Sequence, residues 1–469
     1  MDSASTVTHV LNRLSFGPRP GDRAQIERSG IKAYIQQQLT PEHLADPPAL
    51  KRRLQRFPAL QLSPVELFEQ YAPPPKASAE QRQNARSRQV QMLNESVQAR
   101  LLRALESPRQ LYEMMVDFWF NHFNVFVGKG LTMVWAGDYE QSAIRPHALG
   151  KFRALLGATA KHPAMLFYLD NWRNTDPNSN AAKGAFSGFN ENYARELLEL
   201  HTLGIDGGYS QADVENLTRI FTGWTMLHHG QRARDQSGFM FVANRHDPGS
   251  KVLLDKAIAP GGLNEGEAAL DLLAQHPATA RHLSRKLAQY FVADNPPESL
   301  VETLAKTFLA SGGDIRSVLS ALFESAEFWD PAYYQRKFKT PYQYLLSMTR
   351  AVGLVSPTEE RLKRLNGAMT QLGMPLYYCR TPDGYAQVEA PWLSPDAMLR
   401  RVNFALATVN LYSQPNAQPP TGPSRGALAA TLLEAVGQQL SAETQRVVND
   451  SPVYLRPALI LGSPEMMYR

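Results

Sequence analysis

Apolar residues along this chain recur mainly at spacings of three and four, the period of helices that bury one face. The pattern predicts a short amphipathic helix over 6–16, broken by Gly17-Pro18-Arg19-Pro20-Gly21, and two more short helices up to Leu39. Ser63-Pro64 opens another helix by the N-cap and first-position rule, and Tyr71 to Lys76, with three consecutive prolines, reads as an extended linker. The polar stretch 79–105 reads as a long, mostly exposed helix, with Arg82, Arg86, Arg88, Arg100 and Arg103 on a solvated face. After Ser107-Pro108 comes LYEMMVDFWFNHFNVF, a buried helix with a narrow polar strip of Gln110, Glu113, Asp117, Asn121 and Asn124. Residues 138–170 form two helices broken near His162-Pro163, and a polar Gly/Asn-rich loop covers 171–187.

The densest chemistry lies in FNENYARELLELHTLGIDGGYSQADVENLTRIFTGW, residues 189–224. Asn190 caps a helix over 191–203 that stops at Gly204. At about 100° per residue, Glu191, Asn192, Arg195, Glu196, Glu199 and Thr202 share a polar arc, and His201 lies with the apolar side. Ser210 with Asp213 makes a capping-box pattern for a second helix that ends at Gly223. Beyond Trp224, Phe239–Val242 and Val252–Leu254 read as two short strands around the turn Asp247-Pro248-Gly249-Ser250. Helices resume over 262–326, 337–352, 359–372 and 395–413. Residues 414–425 form a Pro-rich linker, followed by short helices. The expected fold is mainly α, one large irregular multi-helical domain with a small β-hairpin insertion. Its expected divisions are 1–76 (N-terminal helical segment and linker), 77–413 (main domain) and 414–469 (linker and short helices).

Composition narrows the classes. The 469 residues are 43% hydrophobic and 20% charged, ordinary globular values, so the chain can bury a sizeable core. The formal charge of +5 is spread without a dense Lys/Arg tract, which argues against a nucleic-acid partner. Cys379 is the single cysteine, so an intrachain disulfide and a multi-cysteine metal site are excluded, and Tyr-Tyr-Cys-Arg carries no nucleophile signature. No apolar run reaches the length of a membrane span, and no signal peptide is visible in the opening residues. GxxxxGK[ST], GxGxxG after a strand, HExxH and GxSxG are all absent. Glu199-Leu200-His201 has the wrong spacing for a carboxylate-bridged metal pair, so no cofactor is expected.

The stretch 190–224 closely resembles the signature of a bacterial family catalogued as domain of unknown function 1800. HVLNRLSFGPRPGD, FWFNHFNVF, RHDPGSK, RHLSRKLAQYFV, GMPLYYCRTPDGY and PWLSPDAMLRRVNFA agree with it, so the resemblance covers nearly the whole chain. It brings no established chemistry. Members often neighbour genes for sulfatase-like secreted proteins and often carry export signals. The resemblance therefore implies a periplasmic or secreted setting, a functional link to such a protein, and a glycan or polysaccharide as substrate.

Three functions compete. Hydrolysis of a glycan would use paired carboxylates drawn from Glu191, Glu196, Glu199, Asp117 and Asp213, with Trp119 or Trp392 stacking on sugar. His246-Asp247 is a further acid/base candidate, with the Asp fixing the imidazole tautomer, and also reads as a plain Asx turn. Elimination from a uronate-type glycan would use Asn121 or Asn192, Arg195, His122 or His246, and Tyr193 or Tyr209. Further substrate contacts are expected from His201, Trp224, the loop carrying Asp383, Tyr385 and Trp392, and the basic cluster Arg281, His282, Arg285 and Lys286. The third function is a non-catalytic envelope protein that binds a glycan or assists assembly.

Overall fold

Helical periodicity and well-placed caps yield 22 α-helices in the computed structural model, which describes residues 3–354, 356–412 and 424–469. The fold is mainly α, as the pattern predicts. The linker expected over 414–425 lies, as far as residue 423, outside the described residues. One hydrophobic core draws on all three expected divisions, with Val10 and Leu50, Leu101 and Phe338, and Leu432 and Ile460 in the same cluster.

Several local expectations follow the capping chemistry. Ser63 and Glu66 close a capping box ahead of the helix Pro64–Tyr71, and Ser210 and Asp213 do the same for Gln211–Ile220. The break at His162 is real. Its ring accepts from the Ala164 N–H and starts the helix Pro163–Tyr168.

The β elements differ from the single hairpin expected. Among the described residues there are two separate two-stranded antiparallel sheets. β1 (Trp224–Met226) pairs with β2 (Phe239–Phe241), and β3 (Lys251–Leu253) pairs with β4 (Lys256–Ile258). The second hairpin turns through Leu254 and Asp255, both at positive φ (49° and 61°). Two positive-φ residues match the twist of tight hairpins, but neither is the usual Gly or Asn, so the turn carries no sequence signature. Asp213 holds it by accepting from the Leu254 N–H at 2.7 Å.

The long helix also departs from expectation. It runs Ala79–Glu106, and only its first half is exposed; its last turns enter the core. Arg100 is therefore buried, not solvated, and Arg103 is half-buried. Arg100 meets the polar strip of the helix Gln110–His122. Its guanidinium bonds Asp117 at 2.5 Å and Glu140 at 3.2 Å; Arg145 bonds Glu140 at 3.0 Å and Glu113 at 2.7 Å. The Tyr377 hydroxyl donates to Glu140 at 2.7 Å. Buried charges persist only when paired in this way. The strip is thus a buried ion network with two amides, Asn121 and Asn124, left over at its far end.

Candidate functional site

Those two amides build one wall of the candidate site. Asn124 donates to the carbonyls of Cys379 (3.0 Å) and Thr381 (2.8 Å). Asn121 donates to the Tyr385 carbonyl (2.8 Å), and its own carbonyl accepts the Tyr385 N–H (2.7 Å). Tyr168 adds a hydroxyl bond to the Arg380 carbonyl at 2.8 Å. The loop 379–385 is thereby clamped along its backbone, and the turn closed by Gly384 N–H to Thr381 carbonyl presents Asp383 to solvent. Gly384 sits at φ +77°, and a Cβ there would come 2.2 Å from the Asn121 carbonyl oxygen. Gly384→Ala should cost about 1–3 kcal/mol through backbone strain, and more through that clash. Chemical denaturation checks the loss, and an unchanged midpoint would show that the clamp is loose.

The second wall is the central helix, which is not the uniform helix expected. It is α-helical over Asn192–Glu196 and widens into a π-turn over Leu197–His201. The phase set by 100° steps therefore fails after Glu196. The Thr202 hydroxyl donates to the Leu197 carbonyl at 2.5 Å, and Gly204 N–H reaches the Leu198 carbonyl. Carbonyls left open by the helix end are taken by two imidazoles. His282 Nε2 lies 3.2 Å from the Leu200 carbonyl, and His122 Nε2 lies 3.1 Å from that of His201. A carbonyl only accepts, so both rings donate through Nε2. Burial, reinforced by the charge of Lys286, keeps these histidines neutral: His201 is pushed down to about 3 and His282 to about 4.

The third wall is the helix Pro277–Phe291, which carries His282 and, one turn on, Lys286. Lys286 makes no hydrogen bond or ion pair among the described residues. Burial pushes its ammonium down to about 8, against the pull of the Asp383 carboxylate.

These walls bring Glu196 within electrostatic reach of Glu199, Asp383, Tyr168 and Tyr209, and Asp383 within reach of Lys286 and Tyr168. Burial first, then Glu199 and Asp383, raises Glu196 above the ordinary carboxylate range, and Arg195 offsets this in part. The Tyr209 hydroxyl is raised by burial and by the neighbouring Glu199 carboxylate. Tyr168 is raised by burial, then by Cys379, Glu196 and Asp383. The Cys379 thiol is itself pushed up by burial, which disfavours the thiolate. The cluster is half-exposed: Glu196 and Glu199 are partly buried, and Asp383 is exposed.

The remaining expected residues lie elsewhere. Glu191 and Arg195 form a solvent-facing i, i+4 pair at 3.0 Å, joined by Gln211, and Asn192 is exposed beside them. Asp117 belongs to the buried ion network. Trp119 is wholly buried and donates to the Ala148 carbonyl, so its ring has no face open for a sugar. Trp224 is also buried, edge-on to Phe221 and Phe239, and Tyr193 packs edge-on to Phe221. Asp213 is consumed by its cap and the Leu254 turn. Arg281 is exposed and pairs with Glu298. Tyr385 and Trp392 are partly buried, and the Trp392 indole donates to the Ala386 carbonyl.

His246 and Asp247 do not form a dyad. His246 Nε2 lies 3.1 Å from Glu265, while Asp247 takes a two-pronged contact from Arg219 at 2.8 and 3.2 Å and accepts the Gly249 N–H as an Asx turn. Lys251 completes the group at 2.7 Å from Glu265. Burial pushes both carboxyls up, but Arg219 for Asp247 and Lys251 for Glu265 overcome it, so both lie below the ordinary range. A depressed carboxyl stabilises the fold above its unfolded pKa, about 4, and that stability is lost as pH falls through the lower folded value. Glu265→Gln should therefore flatten the acid limb of a melting-temperature profile taken downward from about pH 5. An unchanged limb would remove this group from the fold's acid sensitivity.

Lys286 was legible only as one of four basic residues on a helix, and Tyr168 carried no signal, since long-range packing alone brings it to Asp383. An open cavity of about 640 Å³ lies apart, lined by Leu345, Met348, Leu365 and Phe404 among others; its described lining holds no acid, histidine or cysteine. Among the described residues no group of three or more His, Cys, Asp or Glu is arranged to hold a metal ion, and no helix is long and apolar enough to cross a membrane.

Residues 9–468 match a family model described as "Protein of unknown function (DUF1800)". No curated protein and no solved structure matches the chain.

Proposed function

Because the chain belongs to the DUF1800 family, whose description carries no reaction, we propose from the site alone that it hydrolyses a bacterial glycan by carboxylate acid/base chemistry. The observation that carries this reading is the state of Glu196, half-buried and raised first by that burial and then by the charges of Glu199 and Asp383. Two carboxyl groups whose surroundings separate their proton affinities divide into an acid and a base. Glu196 keeps its proton and donates it to the departing glycosidic oxygen. Glu199 or Asp383 supplies the second carboxylate, for a water or for the sugar carbon itself. Tyr378, exposed immediately before the clamped loop, offers a ring face for a sugar. The setting we infer is the periplasm or the cell exterior, alongside a sulfatase-like secreted protein.

One observation favours elimination as a second reading. Lys286, uncommitted to any partner among the described residues and pushed down by burial to about 8, would serve as the base that removes a proton beside a uronate carboxylate. Tyr168 or Tyr209 would then protonate the leaving oxygen.

A panel of neutral and acidic bacterial glycans separates the readings. Hydrolysis releases new reducing ends without ultraviolet absorbance, and elimination creates unsaturated, absorbing ends. Binding without turnover across the panel would count against both and favour a glycan-binding protein.

A further inference from the structure

A second cluster lies where the helix Ser3–Leu14, the segment 337–339 and residues 467–469 meet. Arg13 is 0% exposed, and Lys337, Lys339, Arg401 and Arg469 are 1–3% exposed. The two extended segments pair antiparallel. Lys337 and Arg469 exchange both backbone hydrogen bonds (3.2 and 2.8 Å), Phe338 faces Tyr468, and Lys339 N–H reaches the Met467 carbonyl. Side chains alternate along such strands, so Lys337, Lys339 and Arg469 share one face. Arg401 lies over the Phe338 ring on the other, its Nη2 donating to the Lys339 carbonyl.

The anionic side of this cluster is thin. Asp294 bonds Lys337, also accepts the Glu389 N–H, and acts on Arg13 and Arg469 as well. Asp117 acts on Arg469 but is already paired with Arg100. Lys339 has only neutral acceptors, the Ser347 hydroxyl and the Met466 carbonyl, both at 3.0 Å. Arg13 donates through one nitrogen to the Tyr333 carbonyl (2.5 Å) and Arg469 through one to the Tyr290 carbonyl (2.7 Å). Nε and Nη1 of both guanidiniums are buried without a partner. Arginine does not shed its proton inside a protein, so these groups stay charged and need a counter-charge.

We propose that Arg13 and Arg469, with Lys337 and Lys339, form a binding site for a small tetrahedral oxyanion, phosphate or sulfate. With Nη2 of each already given to a carbonyl, the free Nε and Nη1 donors of one guanidinium point apart, so each arginine offers an ion a single N–H edge; two such edges suit the divergent oxygens of an oxyanion better than a single spherical ion, and the lysines add point charge. The half-exposed Asp294 side chain, 27% accessible, marks the side nearest solvent. The bound ion ties the first helix to residues 467–469 and is independent of the carboxylate site.

The test uses the full chain, purified without phosphate or sulfate and then equilibrated with each in turn. After gel filtration into chloride buffer, ion chromatography of the denatured protein is expected to find phosphate or sulfate equimolar with the chain, and which ion is retained identifies the occupant. Weaker binding would show instead as a melting temperature that rises and saturates with millimolar phosphate or sulfate, too dilute for their general salting-out effect, beyond the rise with chloride at matched ionic strength. Arg469→Gln should abolish either response. If that variant does not fold, the wild-type comparison decides alone. No retained oxyanion together with equal melting temperatures in all three salts would overturn the site, as would an undiminished response in folded Arg469→Gln.

Discussion

Arg100→Met should destabilise the fold by about 3–5 kcal/mol, the usual cost of removing one partner from a buried ion network. The guanidinium is 6% exposed and serves both Asp117 and Glu140, which are 4% and 0% exposed. Burial pushes Glu140 up, but Arg100, Arg145 and the Tyr377 hydroxyl overcome it, so Glu140 lies below the ordinary range. For Asp117 burial prevails over Arg100 and leaves it raised. Without Arg100 both carboxylates would face apolar surroundings, with Arg145 still serving Glu140. The folded pKa of Asp117, already raised, would climb further and that of Glu140 would rise with it, and a raised carboxyl stabilises at low pH and loses that contribution as pH climbs through the folded value. The deficit of Arg100→Met should accordingly be larger at about pH 8 than at about pH 5. Urea denaturation at the two values measures it. A deficit below about 1 kcal/mol, the size of a surface pair, would mean that the network is not what holds the helix Ala79–Glu106 to Gln110–His122.

Glu196→Gln should lower turnover by about 100- to 10,000-fold, the range of a lost general acid, while leaving the fold intact. The site argues for both halves. Glu196 is partly buried and forms no ion pair among the described residues, so its removal breaks no buried charge pair seen there. Gln keeps the side chain's shape but carries no acidic proton. Asp383→Asn should act differently. It lifts a negative charge from beside Glu196 and Lys286, so it should lower the pKa governing the basic limb of the pH–rate profile as well as the rate. Rates on a responsive glycan from about pH 4 to 9 would show both effects. A Glu196→Gln enzyme at wild-type rate would remove the proposed acid.

The legible parts of the fold share one trait: their causes are local. Ser210 with Asp213, Ser63 with Pro64, and His162 with Pro163 each act within a few residues, and each cap stands where its chemistry points. The missed parts depend on distant partners. Nothing within the stretch 79–105 distinguishes Arg86, which is exposed, from Arg100, whose carboxylates arrive from residues 117 and 140. The π-turn at Leu197–His201 is stabilised by Thr202 and by imidazoles from residues 122 and 282, so a constant helical step placed Glu196 and Glu199 only approximately. His246-Asp247 looked like a dyad because the residues are neighbours, yet adjacent side chains point apart and find separate partners. The site itself was half legible. Glu196, Glu199, Tyr209 and Asp383 stood out by type and position, whereas Lys286 and Tyr168 acquire meaning only when three walls close on Asp383.

The most direct test of this site compares product release by wild type with four single variants, Glu191→Gln, Glu196→Gln, Glu199→Gln and Asp383→Asn, each checked for folding by circular dichroism. Glu191 belongs to the solvent-facing pair with Arg195, so its variant should keep nearly full turnover. The other three should lose it, Glu196→Gln most of all. Equal loss in all four, full activity in Glu196→Gln, or no product from wild type on any neutral or acidic glycan would contradict the assignment of a carboxylate-dependent hydrolase to this cluster.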